Sequence, residues 1–262
     1  YNLVSQLSDE FKFYIVTSDR DIGDKKPYKN IKVKEWTAFE GVEVLYINKK
    51  DLTFYKIYKI LKEDCYDALY LNSFFSIEFS IKPVAVLRFM YFHDIPIVLA
   101  ARGEFSAGAL ALKKVKKKAF IWLSEKIDLH RKVMWHASTL LEKKDIMLVK
   151  NVSTESILIA KNLPTPISKI KGFPGSNTER KERVLRIIFL SRISPKKNLD
   201  YALNILKKIK SKVVFDIFGP IESSTYWNLC LKVINKMPIN VTVNYCGSID
   251  PDEVGGIFSS YD

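Results

Sequence analysis

Short runs of β-branched and aliphatic residues alternate with longer segments of helical spacing along almost the whole chain. This alternation limits the fold more than any other feature. Residues 11–17 (FKFYIVT), 42–47 (VEVLYI), 68–71, 95–100 (IPIVLA), 133–137 and 157–160 are apolar runs of strand length. A polar stretch rich in Asp and Lys separates the first two. In 52–61, 77–92, 106–126 and 140–149 the apolar residues recur at helical spacing. Continuous apolar strands joined through helices are how a parallel sheet covered on both faces reads, so the expected class is α/β.

The pattern stops once and restarts. From Leu163 to Arg183 turn formers collect: Pro164, Pro166, Gly172, Pro174, Gly175 and Ser176. Such a concentration reads as a linker. Beyond it come strands at 184–190, 213–218 and 241–246 and helices at 199–209, 223–235 and 251–261. The expected organisation is a first domain over 1–163, a linker over 164–183, and a partial second domain over 184–262. Tyr1–Leu7 reads as the tail of a helix, and the last helix has no strand after it. The chain is therefore expected to be a piece interrupted at both ends.

Composition narrows the function classes. The chain has 262 residues, with 42 Lys and Arg against 29 Asp and Glu, a net charge of +13. An apolar fraction of 47% supports packed cores and excludes a disordered chain. Cys65, Cys230 and Cys246 are far apart and odd in number, which argues against a disulfide framework or zinc site and for a reducing, cytoplasmic setting. His93, His130 and His136 show no ligand spacing, and no metal is expected. The most apolar stretch, 84–101, is broken by Arg88, His93 and Asp94 before it reaches membrane-spanning length. The positive excess calls for a polyanion, an anionic surface or a phosphate-bearing small molecule.

Dinucleotide and P-loop fingerprints are absent, as are GxSxG and HExxH. The strongest local feature is FLSRISPKKNLD at 189–200. An apolar strand ends at Arg192, Pro195 turns the chain, and a helix opens near Asn198. Arg192 and Lys197 thus stand at the carboxyl end of a strand beside a helix start, where open α/β sheets bind ligands and anions are favoured. The alternative is a solvated basic loop with an Asn cap.

Several segments, in order, resemble family-4 retaining glycosyltransferases of the GT-B fold. FLSRISPKKNLDYAL resembles the start of that family's C-terminal domain. FDIFGPIE at 215–222 resembles its next strand and glycine turn, at Gly219. YCGSIDPDEVGGIF at 245–258 resembles the strand–glycine–helix segment near the base, with Gly247 at the turn. AARGEFSAGALALKKVKKKAFIWL at 100–123 resembles a turn and Lys-rich helix of the N-terminal domain. WHAST at 135–139, AKNLP at 160–164 and SDRDIGD at 18–24 also resemble its elements. The resemblance implies two Rossmann-like domains facing a cleft, the second incomplete here. It implies a nucleotide-diphosphate sugar donor, a glycan or lipid-linked acceptor, and transfer with retention. It needs no metal or other cofactor. Arg192 and Lys197 would bind the donor's phosphates and balance the leaving group's charge. The family's Gly-rich loop is expected before Tyr1, and its paired-Glu motif after Asp262.

On the acceptor side, Arg102 and Gly103 follow the 95–100 strand. Arg102 either meets acceptor or phosphate, or ties the turn down. His136 and Asn162 are each candidates for a functional or a purely structural role. Lys113, Lys114, Lys116, Lys117 and Lys118 precede Phe120, Ile121, Trp122 and Leu123. That combination suits an anionic membrane surface, which would place the protein peripherally at the inner face. It equally describes an exposed helix with a buried end. Two other classes compete: an inactive remnant that binds only a nucleotide or partner, and a basic nucleic-acid-binding protein. The second expects one stripe of charge or a known reading module, whereas both halves carry a similar excess and no such module is present.

Overall fold

Strands form where the apolar runs lie, and the computed structural model describes residues 2–21, 24–90, 95–164, 184–250 and 253–262. The linker expected at 164–183 lies, from 165 on, outside the described residues. The chain divides into two units, Tyr1–Pro164 and Thr165–Asp262.

Unit 1 begins with helix α1 (Asn2–Leu7) and a three-stranded sheet. Strand β1 (Tyr14–Ser18) pairs in parallel with β3 (Val42–Ile47), and β2 (Thr37–Phe39) adds to β3 in the antiparallel sense. A wholly parallel sheet was expected, so β2 is a correction. Its turn is Glu40–Gly41, with φ of 47° and 82°. Two consecutive left-handed residues give the twist a two-residue hairpin needs. Glu is an unusual first residue there, which hides the hairpin from the sequence. Helix α2 (Phe54–Glu63) is capped by Thr53, whose Oγ1 accepts the Lys56 N–H at 3.2 Å. It buries Ile57, Ile60 and Leu61 against Leu45, Ile47 and Leu52.

The second sheet holds β4 (Leu69–Asn72), β5 (Ile97–Ala100), β6 (Val133–Ala137) and β7 (Ile157–Ile159). They are parallel and lie in chain order. The helix expected over 77–92 is a π-helical turn, Ile77–Ile81, followed by α3 (Lys82–Phe89). Pro83 has no N–H to give to the residue four before it, and the turn ahead of it widens to i→i+5 bonds such as Ile81 N–H to Ser76 C=O. The 106–126 segment splits into α4 (Ala107–Ala111) and α5 (Lys114–Lys126), because Lys113 is left-handed at φ 54°. Helix α6 (Leu140–Lys150) completes the layer. Phe74, Leu99, Trp135 and Ile146 are sealed from solvent at its centre. Truncating one such side chain to Ala typically costs about 2–5 kcal/mol.

Unit 2 is a parallel sheet with β9 (Val213–Phe218) between β8 (Leu185–Leu190) and β10 (Val241–Gly247). One face, with Val213, Phe215 and Ile217, packs on α7 (Leu199–Leu206) and α8 (Ser224–Ile234) through Leu199, Leu203, Tyr226 and Cys230. On the other face the Asp216 carboxylate accepts from Asn244 Nδ2 at 2.7 Å and Tyr261 Oη at 2.8 Å. The last helix, α9 (Val254–Phe258), is shorter than the one expected over 251–261, of which 251–252 lie outside the described residues.

His130 packs on Phe74 and Trp135, and its buried Nδ1 has no hydrogen-bond partner. Burial first, then the Lys150 charge, push its pKa down to about 3. The unfolded chain therefore binds a proton that the fold does not between pH 6.5 and about 3, and stability falls as pH falls through that window. Thermal melts of His130→Phe should show a smaller loss between pH 7 and pH 5 than the parent. An unchanged loss would assign the pH dependence to other groups.

Candidate functional site

In unit 1 the carboxyl ends of β4, β5 and β6 carry a connected polar cluster. Arg102 follows β5 in a left-handed turn, with φ 51° there and 72° at Gly103. Its Nε donates to Asn72 Oδ1 at 3.0 Å, one terminal nitrogen donates to Tyr70 Oη at 3.0 Å, and the other to Asn162 Oδ1. Tyr70 Oη lies 2.5 Å from His136 Nδ1, and His136 Nε2 lies 2.7 Å from the Ala160 carbonyl. A carbonyl can only accept, so His136 donates from Nε2. Burial raises the Tyr70 pKa against the opposing pull of Arg102.

Two carboxylates hold the surrounding backbone. Glu104 accepts the amides of Phe74 and Phe75 at 2.5 and 3.1 Å and the Ser73 hydroxyl at 2.7 Å. Glu142 accepts the amides of Gly103 and Ser138, both at 2.7 Å, and the Ser138 hydroxyl at 2.6 Å. Burial pushes the Glu142 carboxyl up, but the Ser138 and Gly103 donors and Arg102 outweigh it, and its pKa is lowered.

In unit 2 the carboxyl ends of the strands are tied mainly by backbone. Ser191 N–H donates to Phe218 C=O at 3.0 Å and Gly219 N–H to Gly247 C=O at 2.7 Å. Tyr245 Oη donates to the Gly219 carbonyl at 3.0 Å. A Cβ on Gly219 would sit 2.1 Å from the Ser191 carbonyl oxygen, and its φ is 135°. Only glycine fits both limits. Gly247, at φ 77°, has open space around it.

The 3₁₀ turn Pro195–Lys197 follows Arg192, and Asn198 joins it to α7. Asn198 does not cap α7 with its side chain, as the sequence reading had it; it supplies a left-handed backbone, φ 52°. Asn is among the few non-glycine residues that adopt this conformation readily. Arg192 is exposed and bonds Glu222 at 3.0 Å. Lys197 is exposed, with no side-chain partner among the described residues. The two cations therefore share one loop at the carboxyl edge of the sheet, next to the Gly219 turn.

The Lys cluster is not uniform. Lys113, Lys114, Lys116 and Lys118 are exposed. Lys117 is half-buried: its Nζ donates to the Ala109 carbonyl at 2.6 Å and sits 4.8 Å from the Phe75 ring centre. The outward-facing set expected from the sequence loses Lys117, which caps α4.

Sequence reasoning did not single out Tyr70, Asn72, Glu104, Glu142 or Glu222. Tyr70 and Asn72 had a signal, since both end a strand whose neighbours were read as site-bearing. Among the described residues no group of three or more His, Cys, Asp or Glu could hold a metal ion, and no helix is long and apolar enough to cross a membrane.

No protein-family profile matches the chain, and no curated protein does. Among solved structures it is similar to that of Anabaena HepE in complex with UDP-glucose, at 14% identity and a TM-score of 0.60. The match covers 84% of this chain and 59% of that one, so this chain spans well under two thirds of its relative. At that identity the match shows the fold: a two-domain, Rossmann-like α/β architecture, as the GT-B resemblance implied.

Replacing Gly219 with Ala should destabilise unit 2 by about 2–4 kcal/mol, since both the contact and the φ are violated. Urea unfolding followed by unit 2 fluorescence (Trp227 lies in α8) should show it. A change below about 0.5 kcal/mol would mean that the loops shift without cost. Arg102→Ala should unlock Asn72, Tyr70 and Asn162 together. Amide exchange should then rise at all three loops, and a rise confined to Arg102 itself would deny the latch.

Proposed function

We propose that the chain is the N-terminal domain and part of the C-terminal domain of a nucleotide-sugar glycosyltransferase. The observation that carries this reading is the pairing of Arg192 and Lys197 on one loop at the carboxyl edge of a parallel sheet. The fold shared with a structure holding UDP-glucose supports it. The donor is a nucleotide-diphosphate sugar, and the two cations meet its diphosphate. Charge-assisted bonds to phosphate are the strong class of hydrogen bond. They strengthen as negative charge builds on the departing diphosphate, which makes them catalytic as well as binding contacts.

The Arg192–Glu222 pair is exposed, and such a pair adds about 0–1 kcal/mol. A diphosphate displaces Glu222 at little expense, so the pair parks the guanidinium between turnovers. Gly219 and Gly247 set the backbone beside the nucleotide. Transfer retains the anomeric configuration, and the acceptor is a glycan or a lipid-linked sugar. The Arg102–Tyr70–His136 cluster shapes the acceptor side: all three faces of the guanidinium are already engaged, so Arg102 positions loops and Tyr70 and His136 present the polar surface. The work belongs to the cytoplasm and to polysaccharide assembly.

Calorimetric titration with UDP-glucose should give binding that Arg192→Ala or Lys197→Ala each weakens about 10–100-fold, the equivalent of one charge-assisted contact. Glu222→Gln should tighten it modestly by freeing Arg192. Unchanged affinity in both cation variants would remove their role. Binding to a random oligonucleotide but to no nucleotide sugar would favour the basic nucleic-acid-binding class instead.

A further inference from the structure

At the amino edge of the four-stranded sheet, the end away from the Arg102 cluster, lies a recess of about 470 Å³. It is bounded by α3, by the start of β5 and by the turn that leads from α5 into β6. Open α/β sheets bind their substrates at the carboxyl edge, and β5, four residues long, puts about 13 Å between the two edges. Neither the Arg192–Lys197 loop nor the Arg102 cluster contributes a residue to it. The floor is apolar: Val84, Ile97 and Leu129 are buried members of the core under the sheet. The rim is basic, with Arg88 from α3 and Arg131 and Lys132 from the turn, and the described lining contains no acidic side chain. A recess of this volume is in the range of small-molecule sites.

The rim is held in place by its own turn. Leu129 N–H donates to the Ser124 carbonyl at 2.9 Å, Arg131 N–H to the Asp128 carbonyl at 3.3 Å, and Val133 N–H to the His130 carbonyl at 3.2 Å. Asp128 and Lys132 are left-handed, with φ of 48° and 60°. A lysine seldom takes that state, and residues held in such states gather at ligand sites. A turn fixed in advance also lowers the ordering cost of binding. The arginines, by contrast, are under-used. Arg88 Nε donates to the Asp128 carbonyl at 3.3 Å, but the exposed Asp128 carboxylate lies 3.9 Å from Nη2, beyond hydrogen-bond length. The Arg131 side chain has no hydrogen bond or ion pair among the described residues. A bare anion would answer these charges and leave the apolar floor wet, and a neutral apolar molecule would do the reverse. We propose that the recess binds a small phosphomonoester with an apolar body, its phosphate on Arg88 and Arg131 and its body on Val84, Ile97 and Leu129. A phosphate dianion answers two guanidinium charges where a carboxylate answers one, and each guanidinium offers it a fork of donors. The site stands apart from the donor reading, because it uses no residue of unit 2.

The test is calorimetric titration of the full chain with phenyl phosphate, and with inorganic phosphate, benzyl alcohol and benzoate alongside. Phenyl phosphate should bind, and the other three should bind about tenfold or more weakly, each lacking one half of the match. Arg131→Ala removes no side-chain contact among the described residues, so its melting temperature should stay that of the parent. It should weaken phenyl phosphate about 10–100-fold, as the loss of one charge-assisted bond does. Amide chemical-shift changes should centre on Ile97, Leu129 and Lys132, and should persist when Arg192→Ala and Lys197→Ala are combined. No binding of phenyl phosphate overturns the site, as does binding that Arg131→Ala leaves intact. Binding lost in the Arg192→Ala, Lys197→Ala variant would assign the phosphate to the unit 2 loop and overturn it too. Equal affinity for inorganic phosphate or for benzoate would overturn the ligand class.

Discussion

Parallel strands all end at the same edge of a sheet, and the loops leaving that edge must be tied before it can hold anything. In unit 1 the tie is made by side chains. Glu104 and Glu142 between them accept four backbone amides and two hydroxyls from loops that are far apart in sequence. In unit 2 it is made by backbone, through Ser191, Gly219 and Gly247. The difference has a consequence for charge. The side-chain solution consumes the local cation as well, because Arg102 spends all three of its nitrogens on Asn72, Tyr70 and Asn162. The backbone solution leaves Arg192 and Lys197 with one exposed ion pair between them. The two edges look alike in sequence, each a strand followed by Arg, and differ in what the Arg has left to offer.

The strands were legible because burial on both faces demands continuous apolar runs, and each expected run among the described residues contains a strand. What escaped depends on backbone states that several residue types can adopt. Glu40 at a left-handed turn position, Lys113 splitting one helix into two, and Pro83 behind a widened turn are local choices that periodicity averages over. The site was legible only as positions. Arg192, Lys197, Gly219 and Gly247 could be placed at strand ends, and the reason Gly219 must be glycine, a carbonyl 28 residues earlier, could not. Tyr70 and Asn162 lie 32 and 60 residues from Arg102, and no spacing rule joins residues across a sheet.

The same reasoning divides the net charge. Seen as a total, +13 suggests a polyanion. Partner by partner, many of the cations are structural. Arg20 is held by Asp19, Lys117 caps α4, and Lys150 is buried between Ser124 and Glu125, with burial lowering its pKa. A cation already holding several acceptors gains little from one more, whereas an exposed, unpaired cation gains the full contact. The Arg192–Lys197 loop and the exposed lysines of α5 are two of the places where exposed charge gathers. They differ in their surroundings. The first offers two cations beside rigid backbone and little apolar surface, which selects a compact polar anion. The second borders an apolar groove. What separates them is the company each cation keeps, and neither the charge total nor the count of lysines contains that information.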